Sequence, residues 1–286
     1  MKYFLHITLC IILQLIIVCK NDNDNQINIP PPHVTEHLPL SGSKIFPGKK
    51  IIVRFNKSMD TFIIKFSGSI GAAVSTLLTS DANNKNLIIK PASEWTIGTD
   101  KTLTISIYSL SGYLLKEFEY TYTVIFTSYV KTTGNGTECS LLEPCADINT
   151  AIMIAYNAGG GQVFIEEGTY TVTSDINHIQ MKENVSLFGG YVPENEWDSP
   201  SDSITTTIID NKTSAGIDAN TPNRTVEFDG SPKITNKTIM SFISIRSSNA
   251  HNSSALFIKN DASPIIRSCK IYGGSDTNSN YSYTVI

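Results

Sequence analysis

Charge is scarce in this chain. Asp, Glu, Lys and Arg make up 17% of its 286 residues, and the formal net charge is −4. No Lys/Arg-rich run or basic patch interrupts the sequence, which argues against nucleic acid as a partner. Long apolar runs are also missing. The longest, Leu5 to Val18, is interrupted by His6, Thr8 and Gln14 and falls short of the ~20 residues that cross a bilayer as a helix. There is no Asn-Thr-Asp, Asp-Asp or Gly-His-Gly run of the kind that clusters acids for glycoside hydrolysis. No cofactor or metal motif is present, so none is expected. What is abundant is Asn, Ser, Thr and Ile, with a hydrophobic content of 41%. β-branched residues favour strands, and Asn, Gly and Ser supply turns. That profile fits an exported β-rich protein.

The five cysteines divide by position. Cys10 lies within the first apolar run and Cys19 ends it. Cys139 and Cys145 share the loop Cys139-Ser140-Leu141-Leu142-Glu143-Pro144-Cys145. In an exported chain such a close pair points to a local disulfide. A metal site is the weaker alternative, since no His or second Cys pair lies nearby. Cys269 falls in a strand-like run and is expected on one face with Ile265 and Ile271, as a small core residue.

Lys2 followed by the short apolar run predicts a signal peptide over residues 1–18. After Cys19 comes Lys20-Asn21-Asp22-Asn23-Asp24-Asn25-Gln26 and then Pro30-Pro31-Pro32, a polar segment with a stiffer end. Ile16-Ile17-Val18-Cys19 resembles the lipobox of bacterial lipoproteins, with Val18 where that family places a small residue. The resemblance implies a lipid on Cys19, a tether over 19–36 and attachment to the bacterial outer membrane or cell surface. Two or three acyl chains anchor stably, whereas one binds only marginally.

From 37 to 127 the pattern is short strands between turns. They are Ile51–Phe55, Phe62–Phe66, Leu87–Lys90, Leu103–Ile107 and Phe118–Val124. Polar residues interleave with β-branched and aromatic ones, which predicts an antiparallel sandwich. The stretch Ile51-Ile52-Val53-Arg54-Phe55-Asn56-Lys57-Ser58-Met59-Asp60 resembles the bacterial Ig-like domains, a family of spacers and binding modules. Met59 is expected to plug the core and Asp60 to cap a turn.

Residues 128–286 read differently. Ile148, Ala151, Ile152 and Ala155 fall at i, i+3, i+4 and i+7, so a short amphipathic helix is expected, capped by Asp147 or Asn149 and ended by Gly159-Gly160-Gly161. Apolar segments then recur at intervals of roughly 13 to 22 residues, as in solenoids whose stacked coils bury one continuous core. The opening Tyr129-Val130, Gly134-Asn135-Gly136, Ala151-Ile152 and Gly168-Thr169-Tyr170 resembles the start of a pectin-lyase-like right-handed parallel β-helix with an N-terminal capping helix. Phe188-Gly189-Gly190-Tyr191 with Trp197 is similar to polymorphic-repeat surface proteins of that class. The fold class expected is therefore all-β: an Ig-like sandwich followed by a parallel β-helix. The strand-like ending Tyr281–Ile286 suggests a last coil that is open or cut short.

The acids that could serve catalysis are Asp210, Asp218, Asp229, Asp261 and Asp276, with Arg224, Arg246 and Arg267 as cations. They are dispersed, and most neighbour Asn, Gly or Ser, where Asp makes turns. His251 stands alone in a loop. No catalytic residue is assigned. Tyr191 and Trp197 could stack on sugars, but packing beneath a loop is the stronger expectation. The function expected is display on the surface, or binding of a glycan or extracellular protein, without turnover. The competing readings are a polysaccharide lyase or hydrolase, and a structural fragment with no activity of its own. Three or more acids and a base meeting on one face of the coils would favour the enzyme.

Overall fold

In a computed structural model, the described residues are 30–78, 85–193, 197, 198, 200, 206–213, 223–231, 233–249 and 253–273. Met1 to Ile29, with Cys10 and Cys19, lie outside them, as do Asp218, His251, Asp276 and the ending from Gly274. Residues 33–286 form one unit.

The first part of that unit is a sandwich of two four-stranded sheets. One sheet orders β1 (Val34–Leu38), β3 (Ile51–Phe55), β6 (Asn86–Pro91) and β5 (Ala73–Leu78), all antiparallel. The other orders β2 (Lys44–Ile45), β8 (Leu114–Val124), β7 (Gly98–Ser109) and β4 (Phe62–Ser67), with only β2 and β8 parallel. Alternation decides the faces. Ile51, Val53 and Phe55 turn inward, against Leu103, Ile105 and Ile107 of the second sheet, and Met59 plugs the same core. β1 begins inside the 19–36 tether expected from sequence. The prolines keep Pro30 to Pro32 out of a ladder, but Val34 to Leu38 have free amides and pair with β3.

The second part is a coil of parallel strands. β9 (Thr127–Val130) starts it, and α1 (Ile148–Asn157) packs across its end. Asp147 caps α1, its Oδ1 accepting from the Thr150 amide at 2.6 Å. Ile148, Ala151, Ile152 and Ala155 are all buried. Three sheets follow. The first stacks β9, β10 (Gly161–Glu166), β13 (Val185–Tyr191), β16 (Ile239–Ser241) and β19 (Ile265–Arg267). The second stacks β11 (Gly168–Val172), β14 (Thr207–Asn211), β17 (Ser244–Arg246) and β20 (Lys270–Tyr272). The third stacks β12 (Ile179–Gln180), β15 (Asn223–Asp229) and β18 (Ser253–Lys259). Every pairing in these sheets is parallel, and the inward residues merge into one core running from Val130 to Leu256. Among the described residues the chain is thus all-β apart from α1 and short 3-10 turns: an Ig-like sandwich followed by a parallel β-helix.

Cys139 and Cys145 are joined by a disulfide, their Cα atoms 4.6 Å apart. The loop they close lies along β9. The Tyr129 amide donates to Cys139 O, and the Cys145 amide donates to Tyr129 O. Coil spacing leaves no room in places: a Cβ on Gly189 would lie 2.5 Å from Phe242 O of the next coil.

One face assignment is corrected. Ile266, not Ile265, lies against the core with Cys269 and Ile271, and Ile265 is exposed. Ser268 takes a φ of +50° between β19 and β20, and this left-handed turn breaks the two-residue alternation. Phe242 does the same between β16 and β17.

Candidate functional site

Among the described residues, two places on the coils gather polar chemistry. The first is on the outer face of the third sheet. Register sets Gln180, Glu227 and Phe257 side by side and places Asp229 beside Lys259. Lys259 Nζ lies 2.9 Å from Glu227 Oε1 and 3.0 Å from Asp229 Oδ2. Arg224 also pairs with Glu227, and its guanidinium lies 4.5 Å from the Phe257 ring centre. His178 Nε2 is 3.3 Å from Glu227 Oε2. A cavity of about 250 Å³ opens beside these groups and is also lined by Glu183.

Electrostatics decide what this cluster can do. Burial pushes the Glu227 carboxyl up, but hydrogen bonds from Lys259 and Arg224, with their charges, outweigh it and hold it below the ordinary carboxylate range. Asp229 is held low by hydrogen bonds from Asn260 and Lys259. Glu183, raised by burial, is brought low by the Thr235 hydroxyl and amide. A glycosidase needs one carboxyl whose affinity for its proton is raised, so that it can protonate the leaving oxygen. The carboxylates of this cluster are all driven the other way.

The second place is a larger cavity, about 640 Å³, at the edge of the second sheet. Thr171, Asp210, Arg246 and Tyr272 occupy one register position on four successive strands. Asp210 Oδ2 accepts from Lys212 Nζ at 2.7 Å. Arg246 is exposed and has no ion pair among the described residues; its guanidinium lies 5.6 Å from the Tyr272 ring centre. The floor is a buried amide network. Asn211 Nδ2 donates to Asn223 Oδ1 at 3.0 Å, and Asn223 Nδ2 donates to Ser248 Oγ at 2.9 Å. Such a network holds its rims in fixed positions.

Of the residues expected from sequence, the fold brings Arg224 and Asp229 into the first cluster, and Asp210 and Arg246 to the second cavity. Asp261 sits in a left-handed turn and Arg267 is exposed on β19. Glu227, His178, Lys259 and Glu183 were not expected. Aligning Val226-Glu227-Phe228-Asp229 on Leu256-Phe257-Ile258-Lys259 as successive coils would have found Glu227 and Lys259. His178 reaches the cluster only through space. Among the described residues no three His, Cys, Asp or Glu side chains group in a way that could hold a metal.

Tyr191 and Trp197 belong to neither place. They are buried with Phe46, Tyr129 and Phe164 where the sandwich meets the coils. Phe164 stacks on Tyr191 with ring centres 4.1 Å apart, and Phe46 meets Phe164 edge-on at 5.3 Å. Lys49 Nζ binds Asp198 Oδ1 at 2.8 Å beside them.

Residues 28–128 match the bacterial Ig-like domain family. This match suggests a surface, extracellular or periplasmic protein. No curated protein matches the chain. Among solved structures, the copper resistance protein PcoC from Escherichia coli is 19% identical over 32% of this chain and 98% of its own, with a TM-score of 0.26. CopC from Methylosinus trichosporium OB3b is 17% identical over 33% of this chain and 93% of its own, TM-score 0.25. The family 28 exopolygalacturonase from Yersinia enterocolitica is 13% identical over 71% of this chain and 41% of its own, TM-score 0.19. These likenesses are too distant to bear on function.

Proposed function

We propose that this protein is displayed outside the cell, where the β-helix binds a glycan or an extracellular protein without turning it over. The observation that carries this reading is the contrast between the two polar sites. Glu227, Asp229 and Glu183 are each engaged by cations or hydroxyls and their carboxyls held below the ordinary range, so none of these three is suited to donate the proton that hydrolysis needs. The cavity of the second sheet offers a fixed polar floor, exposed cations and an aromatic ring, the parts of a binding site. The Ig-like sandwich then acts as the spacer that carries the coils.

Attachment by a lipid on Cys19 completes the proposal. It rests on the short apolar run and the polar segment behind it. Metabolic labelling with a palmitate analogue tests it: label is expected on the parent and not on Cys19→Ala, and label kept by the variant rejects the anchor. The binding reading is tested by screening the whole protein against glycans and extracellular matrix proteins while assaying for released oligosaccharides. Binding without release is expected. Release of hydrolytic or unsaturated products would establish an enzyme instead.

A further inference from the structure

We infer that the β7–β8 hairpin tip is a membrane-docking point, where Leu110, Tyr113 and Leu114 seat in the interface of the bilayer that holds the lipid of Cys19. The inference rests on the lipid anchor proposed above and adds a second contact with the same membrane. The turn itself does not call for an apolar tip. The Ser109 amide donates to Tyr113 O and the Gly112 amide to Ser109 O, both at 2.9 Å. Gly112 supplies the left-handed residue, with a φ of +88°. Leu110 and Tyr113 supply nothing of that kind, in places that Asn, Asp, Ser or Gly commonly fill. Yet Leu110 is 71% exposed, Tyr113 60% and Leu114 55%. The apolar surface also continues along the sheet. Register sets Ile63, Tyr108 and Leu114 in one row across β4, β7 and β8, and Ile63 is exposed as well. A contiguous apolar surface left open marks an interaction site.

Topology selects the surface that covers it. β8 runs from the tip at Leu114 to Val124, just before β9, so the tip is the end of the sandwich away from the coils. Phe62 pairs with Ser109 at that end, and residues 56–61 link Phe62 to Phe55. Phe55 pairs with Val34, the first residue of β1. His33 is fixed there too: its amide donates to Asn56 Oδ1 at 2.9 Å, and the Asn56 amide donates to His33 O at 3.1 Å. The chain that leads back to Cys19 therefore joins the sandwich at the end that carries the tip. Residues 20–33 reach no more than ~50 Å even when fully extended. A lipid on Cys19 thus holds the tip at an effectively millimolar concentration beside the bilayer. The charges are placed to match. Lys65 and Lys116, both exposed, stand two positions behind Ile63 and Leu114, about 7 Å back along their strands. Apolar groups of interfacial segments sink roughly 5–10 Å, which brings cations at that distance to the lipid phosphates. Glu117, beside Lys116, is engaged on the sheet face by the Ser106 hydroxyl at 2.9 Å. Tyr113 has the amphipathic ring that settles at headgroup level.

Hydrogen–deuterium exchange tests the contact. The chain from Cys19 onward, which holds the whole unit 33–286, carries Cys269→Ser so that Cys19 is its one free thiol beside the Cys139–Cys145 disulfide. Cys19 is coupled to a maleimide lipid in vesicles of phosphatidylethanolamine and phosphatidylglycerol. The reference is the same chain capped with a soluble maleimide. Peptides covering 109–116 are expected to exchange about threefold or more slowly on the vesicles, the value for a tip docked about two-thirds of the time. Peptides around the exposed Asn236 on the coils should not change. Replacing Leu110, Tyr113 and Leu114 together with Ser should remove the protection and leave the urea midpoint where it was, since all three are exposed. Equal exchange in the two states, protection that survives the triple replacement, or protection that rises with protein density at fixed lipid, the mark of a second copy on the tip, would each overturn the inference. If Cys19→Ala loses its palmitate label in cells but the tip stays unprotected on vesicles, this inference falls and the anchor stands. If Cys19→Ala keeps its label, the anchor falls and takes this inference with it.

Discussion

Replacing both Cys139 and Cys145 with Ser should cost about 2 kcal/mol of stability. The figure follows from the sequence separation of 6 between the bonded cysteines. Closing so short a loop removes little entropy from the unfolded chain, and the loop-closure relation gives slightly over 2 kcal/mol at 25 °C. The folded state offers no reason for a larger loss. The loop stays bound to β9 through the Tyr129 amide to Cys139 O at 2.8 Å, Cys145 amide to Tyr129 O at 3.1 Å and Lys131 amide to Cys145 O at 2.9 Å. These bonds need no sulfur. The assay is urea unfolding of parent and double variant, both carrying Cys269→Ser so that the half-buried thiol cannot exchange. In a unit of this size the melting temperature should fall by about 4–8 °C. A loss below about 0.5 kcal/mol would mean the unfolded chain is not restrained by the link. A loss above about 4 kcal/mol would mean the loop detaches and leaves the β9 edge open, contrary to the backbone bonds just described.

Other expectations follow from single contacts. Glu227→Gln should destabilise by roughly 2 kcal/mol, since it strips Arg224 and Lys259 of a shared charged partner; urea unfolding at neutral pH measures it. The same carboxyl gives a pH signature. Its affinity for a proton is lower folded than unfolded, so its stabilisation is complete above the ordinary value near 4.5 and is lost as the pH falls below it. The parent's stability should therefore drop more steeply than the variant's below about pH 4.5, and parallel curves would refute the pairing. Gly189→Ala should cost about 2 kcal/mol or prevent folding, because its methyl meets the Phe242 carbonyl in the next coil; an unchanged melting temperature would show that the coils can part. Trp197→Ala should cost about 3–5 kcal/mol and convert one thermal transition into two, for sandwich and coils, by calorimetry.

The elements were more legible than the site, and the reason is range. Ile51 to Phe55, or Ile148 to Ala155, declare their faces through neighbours two to four residues away, so periodicity finds them. β2 has only two residues, too few for a pattern, and β1 buries no alternating face, so both are made by their partners. Strict alternation misplaces Ile265 because one left-handed residue, Ser268, resets it without a glycine as a mark. Acids and cations were recognised one by one, but which of them meet depends on coil register. Glu227 and Lys259 are thirty-two positions apart in sequence and 2.9 Å apart in space.

The aromatic seam between sandwich and coils has a bearing on avidity. Phe46, Phe164, Tyr191 and Trp197 interlock, and Lys49 is bolted to Asp198 beside them. On the display role proposed above, a swivelling joint would let each copy search for a ligand on its own. A locked one makes every copy present its coils at the same angle to its sandwich. Many copies side by side would then favour ligands whose repeats match that common heading and discard those that do not, because multivalent gain vanishes when geometry forbids simultaneous engagement. Selectivity would reside in the alignment of the array as much as in any one cavity.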